Sequence, residues 1–308
     1  MSYSLRRLLI AVADPSARTN KAVRRGVDLA KRSGASIELF SSVALTGSYG
    51  DISRAESREF ARIVLADTTR DLEALAARLR KEGVEVSSKV VLDYPAHEAI
   101  AREAQRLRAD LVLIEAHKHN IFARVLLSQT DYGLIRECPV PLLIVKTGAL
   151  PEKPALLAAL DPWHAAGKPA SLDARIIDVT RGMAEVLGGT INTAHVYAPL
   201  VGFLSGSIGA PSSIPLSLPD ERRYKASVQR QFRRVNQRYD IGRGRAHLRS
   251  GDPAIELPFL ARSLKAGMVV MGAVSRSAIK RLFIGNTAER VLDSLTCDVL
   301  IVRPTAAR

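Results

Sequence analysis

Gly272 closes the apolar run MVVM, Ser275 follows three residues on, and after nine intervening residues Gly285 leads into Asn286 and Thr287. A glycine at the end of a strand lets the backbone turn sharply and come close to a ligand. A second glycine ahead of a helix offers an unshielded amide where helix N–H groups converge on an anion. Arg276, Lys280 and Arg281 add positive charge to the same loop. Asn286 and Glu289 have the spacing of a capping box, so a helix is expected to start at residue 286. The chemistry implied is phosphate binding.

The chain repeats itself, and the repeat tests that reading. Residues 109–146, ADLVLIEAHKHNIFARVLLSQTDYGLIRECPVPLLIVK, align without a gap on residues 266–303, AGMVVMGAVSRSAIKRLFIGNTAERVLDSLTCDVLIVR. In the first copy Glu115 stands where Gly272 does, Lys118 where Ser275 does, Ser128 where Gly285 does and Gln129 where Asn286 does. A carboxylate at the first position opposes a phosphate, so the first copy is expected to bind no nucleotide and to serve structure, unless Lys118 neutralises Glu115 for a different ligand.

The positioning elements follow from periodicity. Buried apolar runs alternating with longer helical segments indicate parallel strands joined by crossover helices. Strands are expected at 7–12, 35–41, 85–91, 110–114 and 140–145, with helices at 18–33, 53–81, 96–108 and 129–137. The second half repeats this with strands at 155–160, 190–196, 245–249, 267–271 and 298–302, and helices at 172–187, 220–239, 253–265 and 286–295. The fold class is α/β: two tandem, doubly wound, Rossmann-like five-stranded parallel sheets of order 3-2-1-4-5, spanning 1–148 and 152–308 around the Gly- and Pro-bearing junction TGALPEKP. Ligands of such sheets bind where the first and fourth strands diverge. Here that point is marked by Asp14 with Glu115, and by Asp161 with Gly272.

With strand, glycine spacing and repeat in place, the sequence resembles the universal stress protein family, in its tandem-domain form. That family carries Gly-x2-Gly-x9-Gly-(Ser/Thr) at this point and an Asp closing the first strand. The resemblance implies a cytoplasmic protein of stress resistance that holds ATP, with magnesium, in its second half. Asp161 would face the adenine, Gly251, Asp252 and Pro253 would line base and ribose, and Gly272, Ser275, Arg276, Gly285, Asn286 and Thr287 would surround the phosphates. Ser275 and Asn286 depart from the motif, the first by adding a Cβ where a positive φ would suit glycine.

Composition narrows the rest. No uninterrupted apolar stretch approaches the roughly 20 residues of a membrane helix, and the start MSYSLRRLLIAV runs into a strand rather than a leader, so no membrane association is expected. Cys138 and Cys297 hold matching places in the two copies, which suits two cores better than one disulfide. Net charge is +14, of which the second half carries +9, and ten Lys or Arg lie between Arg222 and Arg249 against Asp240 alone. No helix-turn-helix, zinc finger or aromatic-interleaved pattern accompanies that run, so a solvated helix face is expected, an anion-binding patch is the alternative, and nucleic acid is not expected.

Other constellations give less. His117, Lys118, His119 and His164 lack a third ligand at a metal-site spacing, and Asp14 with Ser16 lacks a nucleophile elbow, so neither a metal nor a catalytic residue is expected. No general base stands beside the proposed phosphates, which leaves weak ATP hydrolysis at most. The apolar, Gly/Ser/Pro-broken segment 198–218 reads as a flap or as packing against the other half. Two further readings stay open: a non-nucleotide interaction scaffold, and a carrier or sensor of an amphipathic small molecule that uses the apolar 198–218 segment beside the basic 222–249 stretch. Expected partners are the other half of the same chain through the terminal strands, a second copy of the chain, or an unidentified protein.

Overall fold

The computed structural model describes residues 3–44, 54–116, 127–162, 171–199, 218–273 and 286–304. In the first half the strands are β1 (Arg7–Ala11), β2 (Ser36–Val43), β3 (Val86–Leu92), β4 (Leu111–Glu115) and β5 (Leu142–Val145). They alternate with α1 (Lys21–Ser33), α2 (Arg54–Lys81), α3 (Ala96–Leu107) and α4 (Gln129–Glu137). The second half has β6 (Ala155–Ala159), β7 (Thr190–Tyr197), β8 (Ala246–Ser250), β9 (Ala266–Gly272) and β10 (Asp298–Val302), with α5 (Ser171–Leu187), α6 (Leu218–Arg238), α7 (Pro253–Ser263) and α8 (Asn286–Ser294).

Local chemistry explains where the boundaries differ from the sequence expectation. α1 begins at Lys21 rather than 18 because Asn20 caps it, its side chain accepting from the Val23 amide. β5 begins at Leu142, just past Pro141, which has no amide to donate to a ladder. α7 stops at Ser263, and Lys265 two residues on has a φ of 49°.

All ten strands form one sheet of order β3-β2-β1-β4-β5-β10-β9-β6-β7-β8. Within each half every pairing is parallel and follows the doubly wound order, first strand against fourth. The halves meet through β5 and β10, which pair antiparallel with Leu143 opposite Leu300. Those two leucines are 157 residues apart, the repeat distance itself. A pseudo-twofold axis therefore passes between them, and the contact has the self-complementary form of a symmetric dimer within one chain.

Two cores follow from that continuity. One face packs α1, α2, α5 and α6 on the sheet through residues such as Leu29, Leu72, Ile176 and Phe232. The other packs α3, α4, α7 and α8 through Ile100, Leu134, Leu257 and Leu292. Each core runs across both halves, so burial of apolar area binds the halves together as well as folding each.

The symmetry extends to charge. Lys146, one residue past β5, donates to the carbonyls of Leu292 and Leu295 at the end of α8. Arg303, one residue past β10, donates to the carbonyl of Cys138 at the end of α4. Each cation thus crosses the seam to meet the negative end of the other half's last helix, where unpaired carbonyls and the helix dipole favour it. Cys138 and Cys297 are both free and buried, and burial pushes both thiols up to about 11.

Candidate functional site

The carboxyl ends of β1 and β4 diverge, and so do those of β6 and β9. In each half the described ends of these strands and the helix N-termini facing them frame one site.

In the first half the site contains an anion of its own. The Glu115 carboxylate, at the end of β4, accepts from the backbone N–H of Lys21 at 2.8 Å, and the Lys21 ammonium stands 3.7 Å away. Lys21 is the first residue of α1, so this carboxylate takes the helix N-terminal position that a phosphate would otherwise favour. Lys21 is thus the cation that pairs with Glu115 among the described residues, whereas Lys118 lies outside them. Ser128, expected to obstruct, is put to use. Its hydroxyl accepts from the Asp131 amide at 3.1 Å while the Asp131 carboxylate accepts from the Ser128 amide at 2.7 Å, a complete capping box for α4.

Between these groups lies a cleft of about 340 Å³. Val12, Phe40, Ile100, Ile114 and Leu134 give it an apolar floor, and Asn20, Glu115, Ser128, Thr130 and Asp131 a polar rim. Asp14 faces outward. It accepts from the amide and the hydroxyl of Ser16 at 2.9 and 2.6 Å, and the hydroxyl bond holds its carboxyl below the usual range. This local turn occupies the two residues that a nucleophilic reading would have needed.

In the second half Asp161, two residues past β6, presents its amide to the buried Asp173 carboxylate at 3.2 Å. Its own carboxylate lies near Tyr224 of α6, whose phenol is pushed up first by burial, then by Tyr197 and Asp161. Gly251, Asp252 and Pro253 form the turn from β8 into α7. Gly251 has a φ of +142°, a conformation open in practice only to glycine, and its amide donates to the Tyr197 carbonyl. Asp252 caps α7 by accepting from the Ala254 amide at 2.9 Å and binds Arg290 of α8 at 2.7 Å. Those bonds hold its carboxyl below the usual range, the Ala254 amide contributing most. The sequence reading named Asp252 but missed Arg290, which ties the starts of α7 and α8 together.

Gly272 ends β9 for a reason the motif did not reveal. A Cβ there would come within 2.8 Å of Leu172 Cδ2 and 3.3 Å of Ile176 Cδ1. α5 is longer than α1 by an N-terminal turn, and that turn places Leu172, fully buried, over the strand end. The missing side chain is therefore required by helix packing, and Gly272 is absent from the residues of positive φ. Among the described residues α8 begins at Asn286, where a helix start was expected. Thr287 follows on the exposed side of α8. Ser275, Arg276 and Gly285, together with the Asn286 side chain, lie outside the described residues, as do His117, His119, His164 and residues 200–217.

The structure thus brings Asp161, Gly251, Asp252, Pro253, Gly272 and the start of α8 to one edge of the sheet. Elsewhere, His97, Glu98 and Glu137 have potential metal-ligand atoms within 4.8 Å of one another. Glu98 is already bonded to Arg102 at 3.2 Å, and His97 Nε2 faces Glu137 at 3.6 Å, so these groups already have protein partners. No helix among the described residues is long and apolar enough to cross a membrane.

Comparison with known proteins agrees with this architecture. The universal stress protein family model matches residues 4–146 and 175–303. Universal stress protein E of Escherichia coli (strain K12) is 31% identical, with 96% of this chain and 93% of that protein covered. Universal stress protein E of Photorhabdus laumondii is 27% identical over 96% and 94%. Among solved structures, a putative universal stress protein from Pseudomonas aeruginosa UCBPP-PA14 superposes with a TM-score of 0.75 at 23% identity, covering 98% of this chain and 95% of its own. A functionally unknown protein from Pseudomonas aeruginosa PAO1 gives 0.74 at 24%, covering 98% and 94%. Repeat, strand order and these matches together show that the chain belongs to the universal stress protein family, which supports a role in the stress response.

Proposed function

We propose that the second half binds an adenine nucleotide, ATP with magnesium, and that occupancy regulates an association of the chain, with a second copy or another protein, rather than driving hydrolysis. The observation that carries this reading is the exchange of Glu115 for Gly272 at equivalent strand ends. The first half seats its own carboxylate on a helix amide, while the second has no side chain there. Asp161 would hold the base, the Gly251–Pro253 turn the ribose, and the amides at the start of α8 the phosphates, a set of donors suited to a polyanion. Among the described residues beside them no general base is identified.

Calorimetric titration of the full chain with Mg-ATP tests this. Binding is expected in the wild type, weakened at least tenfold by Asp161→Ala and unchanged by Glu115→Gln. Absence of heat in the wild type would overturn the reading in favour of a scaffold. Gly272→Glu is a poor probe, because a side chain there meets Leu172 before it meets any ligand.

The first-half cleft supports a second reading, a sensor of a small amphipathic molecule. Its floor is apolar and its rim carries Glu115 and Asp131 with no free cation beyond the one paired to Glu115 among the described residues. It suits a neutral or cationic molecule better than a phosphate.

A further inference from the structure

Helices α2 and α6 hold the same place in the two halves, each joining the second strand to the third. Their outer faces are built differently. α2 mixes its charges and pairs them: Arg62 with Glu59 at 2.9 Å, Arg70 with Asp67 at 3.0 Å and Asp71 at 3.1 Å, and Arg80 with Glu73 at 2.6 Å. α6 exposes Arg222, Arg223, Lys225, Arg230, Arg233, Arg234 and Arg238. None of them has a carboxylate partner among the described residues, and the helix's acids, Asp220 and Glu221, are confined to its first turn. The 3-10 turn Arg243–Arg245 beyond it adds two more exposed guanidinium groups.

Solvation alone does not require this, since α2 achieves it with both signs. The uniform sign works against the fold: Arg230, Arg234 and Arg238 follow one another at i+4, and Arg230 and Arg233 at i+3, where like charges repel. It makes a positive stripe roughly 24 Å long by the helical rise.

We infer that this face binds the phosphate backbone of duplex nucleic acid without reading its sequence. Three observations select that occupant. The charges are nearly all arginine, whose planar fork matches phosphate oxygens. The apolar face of α6 is spent on the core, with Val228 and Phe232 at 0% and 4% exposure, so the helix has nothing to embed in a lipid surface. The described large apolar side chains that stand exposed, Phe60, Ile63, Leu92, Tyr94, Ile255 and Phe259, are all on other elements, so the stripe offers no aromatic platform for unstacked bases. Backbone contact of this kind needs no recognition motif, which agrees with the lack of one in the sequence.

Fluorescence anisotropy of the full chain with a labelled 24-base-pair DNA duplex, and with an RNA duplex of the same sequence, tests the inference between 50 and 200 mM salt. Both are expected to bind, with log K falling against log salt at a slope of about −4 for four to five phosphates neutralised. Arg230→Gln/Arg233→Gln/Arg234→Gln should weaken binding at least tenfold and flatten the slope by about 2.7. Its melting temperature should equal or exceed that of the wild type, because repulsion is relieved. Arg243→Gln/Arg245→Gln, in a surface turn, should weaken binding less, and Arg62→Gln/Arg70→Gln on α2 should leave it within twofold. No binding to either duplex at 50 mM salt, undiminished affinity in both α6-side variants, or a chain held by phosphatidylglycerol vesicles but not by duplexes would each overturn it.

Discussion

Arg25 Nε on α1 and Asp298 Oδ2 at the start of β10 lie 3.1 Å apart, with side chains 3% and 0% exposed. They join the first half to the second beside the strand seam. The other Asp298 oxygen accepts from the Lys146 and Thr147 amides and from the Thr147 hydroxyl, each at 2.9 Å. Burial pulls the Arg25 guanidinium below its ordinary pKa and the facing carboxylate opposes that. The pseudo-twofold relates these positions to Val179 on α5 and Pro141 before β5, neither of them charged. One side of the seam therefore carries a buried ion pair that the other lacks.

Asp298→Ala should destabilise the chain by about 3–5 kcal/mol, because it strands a buried guanidinium and three donors. Arg25→Val/Asp298→Ala should recover part of that loss, since a buried pair can be exchanged for apolar groups at little cost. Urea denaturation of both variants gives the comparison. A double variant less stable than Asp298→Ala alone would refute the stranded guanidinium as a source of the loss.

Gly272 and Leu172 make the second case. Gly272→Ala should cost about 1–3 kcal/mol through overpacking, and the same change made in a Leu172→Ala background should cost much less. Equal costs in the two backgrounds, read from thermal or urea unfolding, would refute the contact as the reason for glycine.

The third concerns pH. Glu38 on β2 is buried beside Glu103 of α3, 3.0 Å from Arg106, while Lys89 bonds Glu103 at 2.6 Å. Burial first, then the hydrogen bond and charge of Glu103, push the Glu38 carboxyl up to about 7. Its folded pKa thus exceeds the unfolded one. The proton it retains stabilises the fold fully below the ordinary carboxylate range, and that contribution is lost as pH rises through about 7. Glu103 acts in the opposite sense at lower pH: burial pushes it up, but hydrogen bonds from Arg106 and Lys89 outweigh this, so its contribution is lost in acid. Between pH 5 and 8 the unfolding free energy of the wild type should fall by about 1–3 kcal/mol relative to Glu38→Gln. Parallel pH profiles would rule this out. At the position of Glu38 the second half has Asn192, bonded to His247 at 3.2 Å, so no compensating carboxylate pair is present there.

Much of the fold could be read along the chain because its causes are local. Apolar runs such as LLIV at β5 and DVLIV at β10 mark buried strands, and α4 and the start of α8 fell where expected. The repeat of 157 residues, from Leu143 to Leu300, needed only alignment. At the candidate site, Asp161, the Gly251–Pro253 turn and Gly272 were legible as residue types at spacings. Their roles were only partly so: Gly272 suggested room for a ligand, and Ser128 an obstruction rather than a cap.

By itself, then, the sequence determined two tandem doubly wound halves, an altered first site and a retained glycine pattern in the second, since hydrophobic period, turn chemistry and side-chain type act over a few residues. Tertiary structure alone decided that β5 and β10 pair antiparallel about Leu143 and Leu300, and that Lys146 and Arg303 cross the seam. It also decided that Glu115 rests on the Lys21 amide while Leu172 covers Gly272. These contacts join residues 94 to 165 positions apart or set one helix turn against a strand end, and the packing that selects them exists only once the whole sheet has formed.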